Sequence, residues 1–127
     1  NEVNGGFTEG TPWFPVNPNY KTINVAQQSE DSDSVLNFYK RLIKLKKSDD
    51  IYTYGEFNLI DDENENIFAY TRKLNNKTVL VAGNLTDHVA SLNLPFEVEA
   101  SQIKLHNYKN DLDITNMKPF EAFVAEL

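Results

Sequence analysis

Apolar residues recur every three or four positions in one stretch of this chain and every second position in most of the sequence C-terminal to it. Across 31–48 the apolar residues have helical spacing, with acidic residues before them and Lys or Arg towards the end. The pattern predicts a helix over 31–48, with N-cap candidates between Asp31 and Ser34. Its broad apolar face indicates packing against more than one surface. The apolar positions are Val35, Leu36, Phe38, Tyr39, Leu42, Ile43 and Leu45.

Alternating apolar and polar residues dominate the chain from residue 51 to its end. Six or seven short strands separated by turn residues are typical of an antiparallel β-sandwich or Greek key. The predicted fold is therefore mainly β, with an antiparallel β-sandwich preceded by one α-helix and an irregular N-terminal loop. The run at 78–84 is apolar nearly throughout, which indicates a central strand. The predicted strands cover 56–60, 67–74, 78–84, 89–94, 102–108 and 120–127.

The first thirty residues follow neither period. Residues 5–20 hold three glycines, three prolines and four aromatic rings. Proline fixes φ and removes a backbone donor, so this segment is predicted to be a stiff irregular loop. Rings of this size need a surface to pack against, and we expect the chain to be part of a larger protein.

Composition and charge exclude several classes of function. The chain has 127 residues and a formal net charge of −7, which disfavours a nucleic-acid partner or an anionic membrane. It contains no cysteine, which excludes disulfides, thiolate catalysis and cysteine-based zinc sites. No apolar run approaches the roughly 18 residues of a membrane span. We therefore expect neither a nucleic acid nor a membrane as partner.

Catalytic chemistry finds little support in the residue spacing. His88 and His106 are far apart and fit no metal-binding spacing, and the acidic segment 61–65 lacks the glycine of a calcium-binding loop. The glycines match no phosphate-binding motif. We therefore predict no catalytic, cofactor-binding or metal-binding residue in this chain, and no cofactor.

Aromatic side chains are the remaining candidates for a ligand site. A ring can stack on the apolar C–H face of a sugar, and Trp13, Tyr52 and Tyr54 are the candidates for sugar contact, with Phe14 and Tyr20 in the wider set. The alternative is that these rings pack inside the protein.

Several short motifs resemble a known family. These are Asn4-Gly5-Gly6-Phe7-Thr8, Gly10-Thr11-Pro12-Trp13, Val16-Asn17-Pro18-Asn19-Tyr20 and Ile23-Asn24-Val25. They resemble the segment after the catalytic barrel core in oligo-1,6-glucosidases, which are α-amylase-type glycoside hydrolases of family thirteen. Segment 33–43 is similar to the last helix of their (β/α)₈ barrel. Tyr54-Gly55, 68–72 and 119–122 are similar to parts of their C-terminal β domain.

The resemblance implies a division of labour. Residues 1–48 would be the end of the barrel and residues 49–127 the C-terminal β-sandwich domain. The family's nucleophile and acid/base carboxyls lie on barrel strands, and no position here matches their motifs. The resemblance therefore implies a non-catalytic C-terminal part of a cytoplasmic α-glucosidase that acts on α-1,6 or α-1,4 bonds. Its expected partner is the barrel, with self-association through the exposed helix face; the alternative function is a carbohydrate-binding β-sandwich module.

Overall fold

In a computed structural model that describes residues 2–109 and 111–127, the chain divides into two compact units. The first unit runs to Arg41 and the second from Leu42 to Leu127. No helix within the described residues is long and apolar enough to cross a membrane.

Irregular backbone makes up much of the first unit. Asn4, Gly5 and Gly6 have positive φ angles of 53°, 64° and 81°, so glycine is suited to two of these positions. The Asn4 side chain donates to the carbonyls of Thr8 and Gly10, at 2.9 Å each, and so fixes the turn between these residues. Val3–Gly6 therefore forms a turn with non-helical backbone at Asn4 and Gly5, and a 3₁₀ helix covers Pro18–Lys21.

Two α-helices come after the loop. Helix α1 covers Val25–Glu30 and is capped by Asn24, whose side chain accepts the Gln27 amide proton at 3.0 Å. Helix α2 covers Val35–Lys46, and the Ser34 hydroxyl accepts from its third amide at 3.2 Å. The cap predicted between 31 and 34 is thus Ser34. The helix is shorter than the predicted 31–48, and α1 lies within the first thirty residues, where no regular element was predicted.

The second unit is built on one five-stranded antiparallel sheet, and the predicted mainly-β fold class is confirmed. The strand order is β1-β2-β3-β5-β4, so β3 is central, as its apolar sequence indicated. A short helix α3, which the sequence did not predict, precedes the sheet. The elements are α3 Ile51–Tyr54, β1 Glu56–Ile60, β2 Ile67–Leu74, β3 Lys77–Asn84, β4 Ile103–His106 and β5 Ala122–Glu126.

One face of the sheet carries the larger apolar core. Phe123 and Leu80 are buried here together with Met117. The segment 89–98 lies against this core and buries alternate residues, including Ala90 and Leu92. The alternation predicted there is real, but instead of a strand the segment makes a single bridge, from Ala90 to Met117. This irregular layer completes the sandwich-like packing.

The opposite face carries a smaller core. Ile51 of α3 packs on Val79 and Val124, with Leu45 and Tyr52 at the edge of the cluster. Gly55 sits at the close approach between α3 and the sheet. A Cβ atom there would lie 2.6 Å from the Ile51 carbonyl oxygen, so only glycine fits without movement.

Candidate functional site

The aromatic loop of the first unit forms an open apolar concavity of about 650 Å³. Trp13 is 98% exposed, and its ring meets Phe14 edge-on with 6.3 Å between centroids. A large ring held on stiff backbone and turned towards solvent is suited to contact with another molecule or domain. The lining includes Phe7, Pro12, Trp13, Phe14, Val16, Tyr20 and Ile23.

The two tyrosine candidates lie in the second unit and differ in how far their rings are exposed. Tyr52 is partly buried against the core of Ile51, Val79 and Val124, and burial is the main cause that raises the pKa of its phenol. Tyr54 is 74% exposed and borders a shallow depression of about 300 Å³ at the end of α2. Tyr52 therefore packs within the protein, while Trp13 and Tyr54 retain a ring free for contact.

A pair of a partly buried histidine and a buried carboxylate links β4 to the turn before β5. Glu121 is 1% exposed, and its carboxylate is 2.7 Å from His106 Nε2. The other carboxylate oxygen accepts the Lys118 amide proton at 2.6 Å. Sequence reasoning missed Glu121, although it lies two residues before the buried Phe123 and hence in phase with the core-facing positions. The pair holds the tight turn before β5.

A second buried polar group joins the same turn to the end of β3. Asn84 is 2% exposed, and its amide nitrogen donates to the carbonyls of His88, Met117 and Lys118 at 2.7, 3.1 and 2.9 Å. Its carbonyl oxygen accepts from the amide and hydroxyl of Thr86. The side chain is fully bonded, which makes Asn84 a structural tie and leaves nothing of it to bind a ligand.

Exposed and turn positions hold most of the remaining chemistry. The His88 side chain is exposed, and its ring nitrogen lies 3.3 Å from the Asp87 carboxylate. The Asp61 carboxylate accepts from the Asn64 side chain at 2.6 Å and the Asn93 amide at 3.1 Å. Desolvation raises the pKa of Asp61, but these hydrogen bonds outweigh it and the net pKa is lowered. Among the described residues, no group of three or more His, Asp or Glu side chains is placed to hold a metal ion.

Two family models together match most of the chain. Residues 1–55 match the family described as "Alpha amylase, catalytic domain", and residues 57–110 match "Maltogenic Amylase, C-terminal domain". The chain belongs to the α-amylase-type glycoside hydrolases. Within that family it matches the C-terminal region of oligo-1,6-glucosidase-like enzymes.

Individual relatives of this α-amylase-type chain support the same family assignment. It is 40% identical to the oligo-1,6-glucosidase of Bacillus cereus over 96% of its own length, and 35% identical to the trehalose-6-phosphate hydrolase of Bacillus subtilis over 98%. It spans 23% of the length of each. The solved trehalulose synthase MutB from Pseudomonas mesoacidophila MX-45 superposes with a TM-score of 0.89 at 29% identity, covering 99% of this chain and 24% of that one. Bacillus licheniformis trehalose-6-phosphate hydrolase gives a TM-score of 0.86 at 33% identity, covering 98% and 24%.

Proposed function

We propose that this chain is the C-terminal part of an α-glucosidase that hydrolyses α-1,6, or alternatively α-1,4, glucosidic bonds of short oligosaccharides. In this proposal residues 1–48 complete the catalytic (β/α)₈ barrel, and residues 49–127 form a β domain that packs against it. The role of the chain is structural. The names of the relatives support the reaction, since oligo-1,6-glucosidases and a trehalose-6-phosphate hydrolase both cleave glucosidic bonds.

The exposed aromatic loop is the observation that carries the structural role. Trp13 is 98% exposed, Phe7 86% and Phe14 72%. Full burial of one such phenylalanine contributes roughly 1.5–3 kcal/mol, so a covering surface would stabilise the loop strongly. Since residues 1–55 match the catalytic-domain model, the covering surface we propose is the remainder of that domain.

The placement of the carboxylates in this chain supports a non-catalytic role. Retaining glycoside hydrolysis needs two carboxyl groups roughly 5 Å apart across the scissile bond. In the described part of the chain, the buried carboxylate is Glu121, and it is engaged by His106 and the Lys118 amide. We expect no hydrolysis of a nitrophenyl α-glucoside by the purified 127-residue chain. Turnover that co-purifies with the chain and is lost on its depletion would refute this.

An exchange experiment tests the structural role. The matching C-terminal region of the Bacillus cereus oligo-1,6-glucosidase is replaced by this chain, and isomaltose hydrolysis and heat inactivation are measured. A matched deletion of the same region is the control. We expect the chimera to be active and the deletion to be inactive or rapidly inactivated. A deletion enzyme as active and heat-resistant as the intact one would overturn the proposal.

A carbohydrate-binding module is the second candidate, favoured by the open concavity beside Trp13. The chain contains one tryptophan, so its fluorescence reports this loop alone. Titration with isomaltose or dextran should shift that emission if Trp13 stacks on sugar, and calorimetry should detect the same binding. Trp13→Ala is the test variant for calorimetry, and Tyr54→Ala tests the other exposed ring. No heat and no shift at millimolar sugar would leave the structural role alone.

Self-association and cellular location complete the proposal. Helix α2 exposes Val35 (68%), Tyr39 (58%) and Ile43 (49%) on its surface, which favours association of the isolated chain. Sedimentation of the chain against a Tyr39→Lys variant tests this; an equally monomeric parent would contradict it. We propose a cytoplasmic enzyme, as the family resemblance implies, and cell fractionation tests that location.

A further inference from the structure

The two faces of the sheet in the second unit are covered to different extents. Segment 89–98 covers one face over the larger core. On the other face, Leu45, Ile51 and Tyr52 cover the area around Val79 and Val124. This cover ends short of β1 and the start of β2, so part of the second face stays open.

An apolar patch fills that open area. Strand register places Phe57 opposite Arg72 and Leu59 opposite Tyr70, so these side chains share the face of the smaller core. Phe57 lies 4.9 Å from Tyr70 between ring centroids, and Phe68 lies 5.6 Å from it. Phe57 is 47% exposed, Leu59 53% and Phe68 47%. We call Phe57, Leu59, Phe68 and Tyr70 the β1–β2 patch.

The β1–β2 patch contains no charged side chain. Arg72, the charged neighbour, donates towards the carbonyls of Gly55 at 3.2 Å and Thr53 at 3.4 Å, so its guanidinium is turned to the α3 end of the sheet. Neighbouring aromatic rings and a leucine at the edge of a sheet are typical of a surface that another part of the complete protein covers. An apolar partner surface fits this patch better than a charged ligand.

The neighbouring contact indicates which partner. Leu45 lies in the barrel part of the proposal and among the residues that match the catalytic-domain model, whereas Val79 belongs to those that match the C-terminal-domain model. Their packing is therefore already a contact between the two domains of the family, and it lies on the same sheet face as the patch. The relatives are far longer, since the chain spans only 23% of the Bacillus cereus enzyme.

We infer that the β1–β2 patch continues this domain contact and is covered by another apolar segment of the catalytic barrel. The inference rests on the proposed function, and it names the surface of the β domain that the barrel uses. Because the rings are half exposed in the chain alone, docking would bury the remaining half of each. The patch would then stabilise the assembled enzyme without being needed for the fold of the sheet.

The chimera with the Bacillus cereus enzyme tests this inference with a double variant, Phe57→Ser with Phe68→Ser. Val89→Ser is the matched control, because Val89 is also exposed (55%) but lies outside the patch. We expect the double variant to be inactivated by heat roughly tenfold faster than the control chimera, as for loss of central apolar contacts in an interface. In the isolated chain, the double variant should lose less stability relative to its control than it does in the chimera, because only the half of each ring that is already buried contributes there.

Each other outcome overturns the inference. Equal inactivation rates for the double-variant and control chimeras would mean that the barrel does not contact the β1–β2 patch. That result would not affect the proposed contact between the barrel and the rest of the β domain. An equal loss of stability in the isolated chain would make the patch part of the β-domain core. If the isolated chain dimerises through the patch while the chimera is insensitive, the occupant is a second copy. Failure of the unmodified chimera to gain activity over the deletion would instead refute the proposed function.

Discussion

Removing the Asn84 side chain should lower the free energy of unfolding of the second unit more than substitution of any exposed residue. Asn84 lies at the end of β3 and joins it to the carbonyls of Met117 and Lys118, more than thirty positions further along the chain. It also binds Thr86 and the His88 carbonyl, so one side chain connects three backbone segments. Asn84→Ala would remove these bonds and leave several carbonyls without a donor in a region that water reaches poorly.

The size of the effect depends on the bonds that are lost. The amide has two hydrogens and two acceptor positions, so its contacts amount to about four hydrogen bonds at roughly 1 kcal/mol each, or about 4 kcal/mol in total. Asn84→Asp keeps the shape but replaces the donor with a carboxylate oxygen about 3 Å from three carbonyl oxygens. We expect Asn84→Asp to destabilise the unit at least as much as Asn84→Ala.

Urea unfolding followed by far-UV circular dichroism measures the change, since the sheet lies in the second unit. Asn76→Ala, in the exposed turn between β2 and β3, is the matched control and should cost less than about 0.5 kcal/mol. A cost below about 1 kcal/mol for Asn84→Ala, or an Asn84→Asp variant as stable as the parent, would refute the account of Asn84 as a structural tie.

Three further changes test other parts of the second unit. Glu121→Ala should cost about 3 kcal/mol of unfolding free energy by leaving the partly buried His106 nitrogen and the Lys118 amide without their partner, and Glu121→Gln should cost less because it can still accept the backbone proton. Asp61 has a lowered pKa, so its stabilisation is present above the ordinary value of 3.8 and is lost as pH falls through the lowered pKa. Asp61→Asn should therefore flatten the acid limb of the stability profile. Gly55→Ala should destabilise by about 1–3 kcal/mol, because the new methyl meets the Ile51 carbonyl and Arg72 Cβ.

Matched controls make these three changes decisive. Asp87→Ala alters an exposed acid beside the exposed His88, and it should be neutral where Glu121→Ala is costly. Asp62→Asn, one position from Asp61 and exposed, should leave the acid limb unchanged. Gly10→Ala adds a methyl that meets only the Thr8 hydroxyl at 3.7 Å, so it should be tolerated. Equal effects in any test and control pair would contradict the structural reason given for that pair.

Local patterns predicted the elements whose cause is local. The strands β1, β2 and β3 lie within one residue of the predicted 56–60, 67–74 and 78–84, because side chains of period two reflect one buried and one exposed face. The segment 89–94 also buries alternate residues, but most of its backbone has no strand partner. Period alone reports which side faces the core; it does not report whether a neighbouring strand is in reach.

Helices α1 and α3 are elements that the sequence pattern did not predict. Each is short, six and four residues, so neither offers the two or three turns over which helical spacing becomes visible. Helix α1 depends on the Asn24 cap, and α3 packs Ile51 into the smaller core. Their stability comes from the cap and from packing, which a short run of sequence does not display.

By itself, the sequence determined the fold class, the central position of β3 and the likeness to α-amylase-type enzymes, because alternation and short motifs are properties of neighbouring residues. Only the tertiary structure decided that Glu121 meets His106, that Asn84 binds the turn at 117–118, and that Phe57, Phe68 and Tyr70 form one patch. Those groups are brought together by strand order and register, and hydrogen bonds and packing between distant residues leave no mark on local spacing.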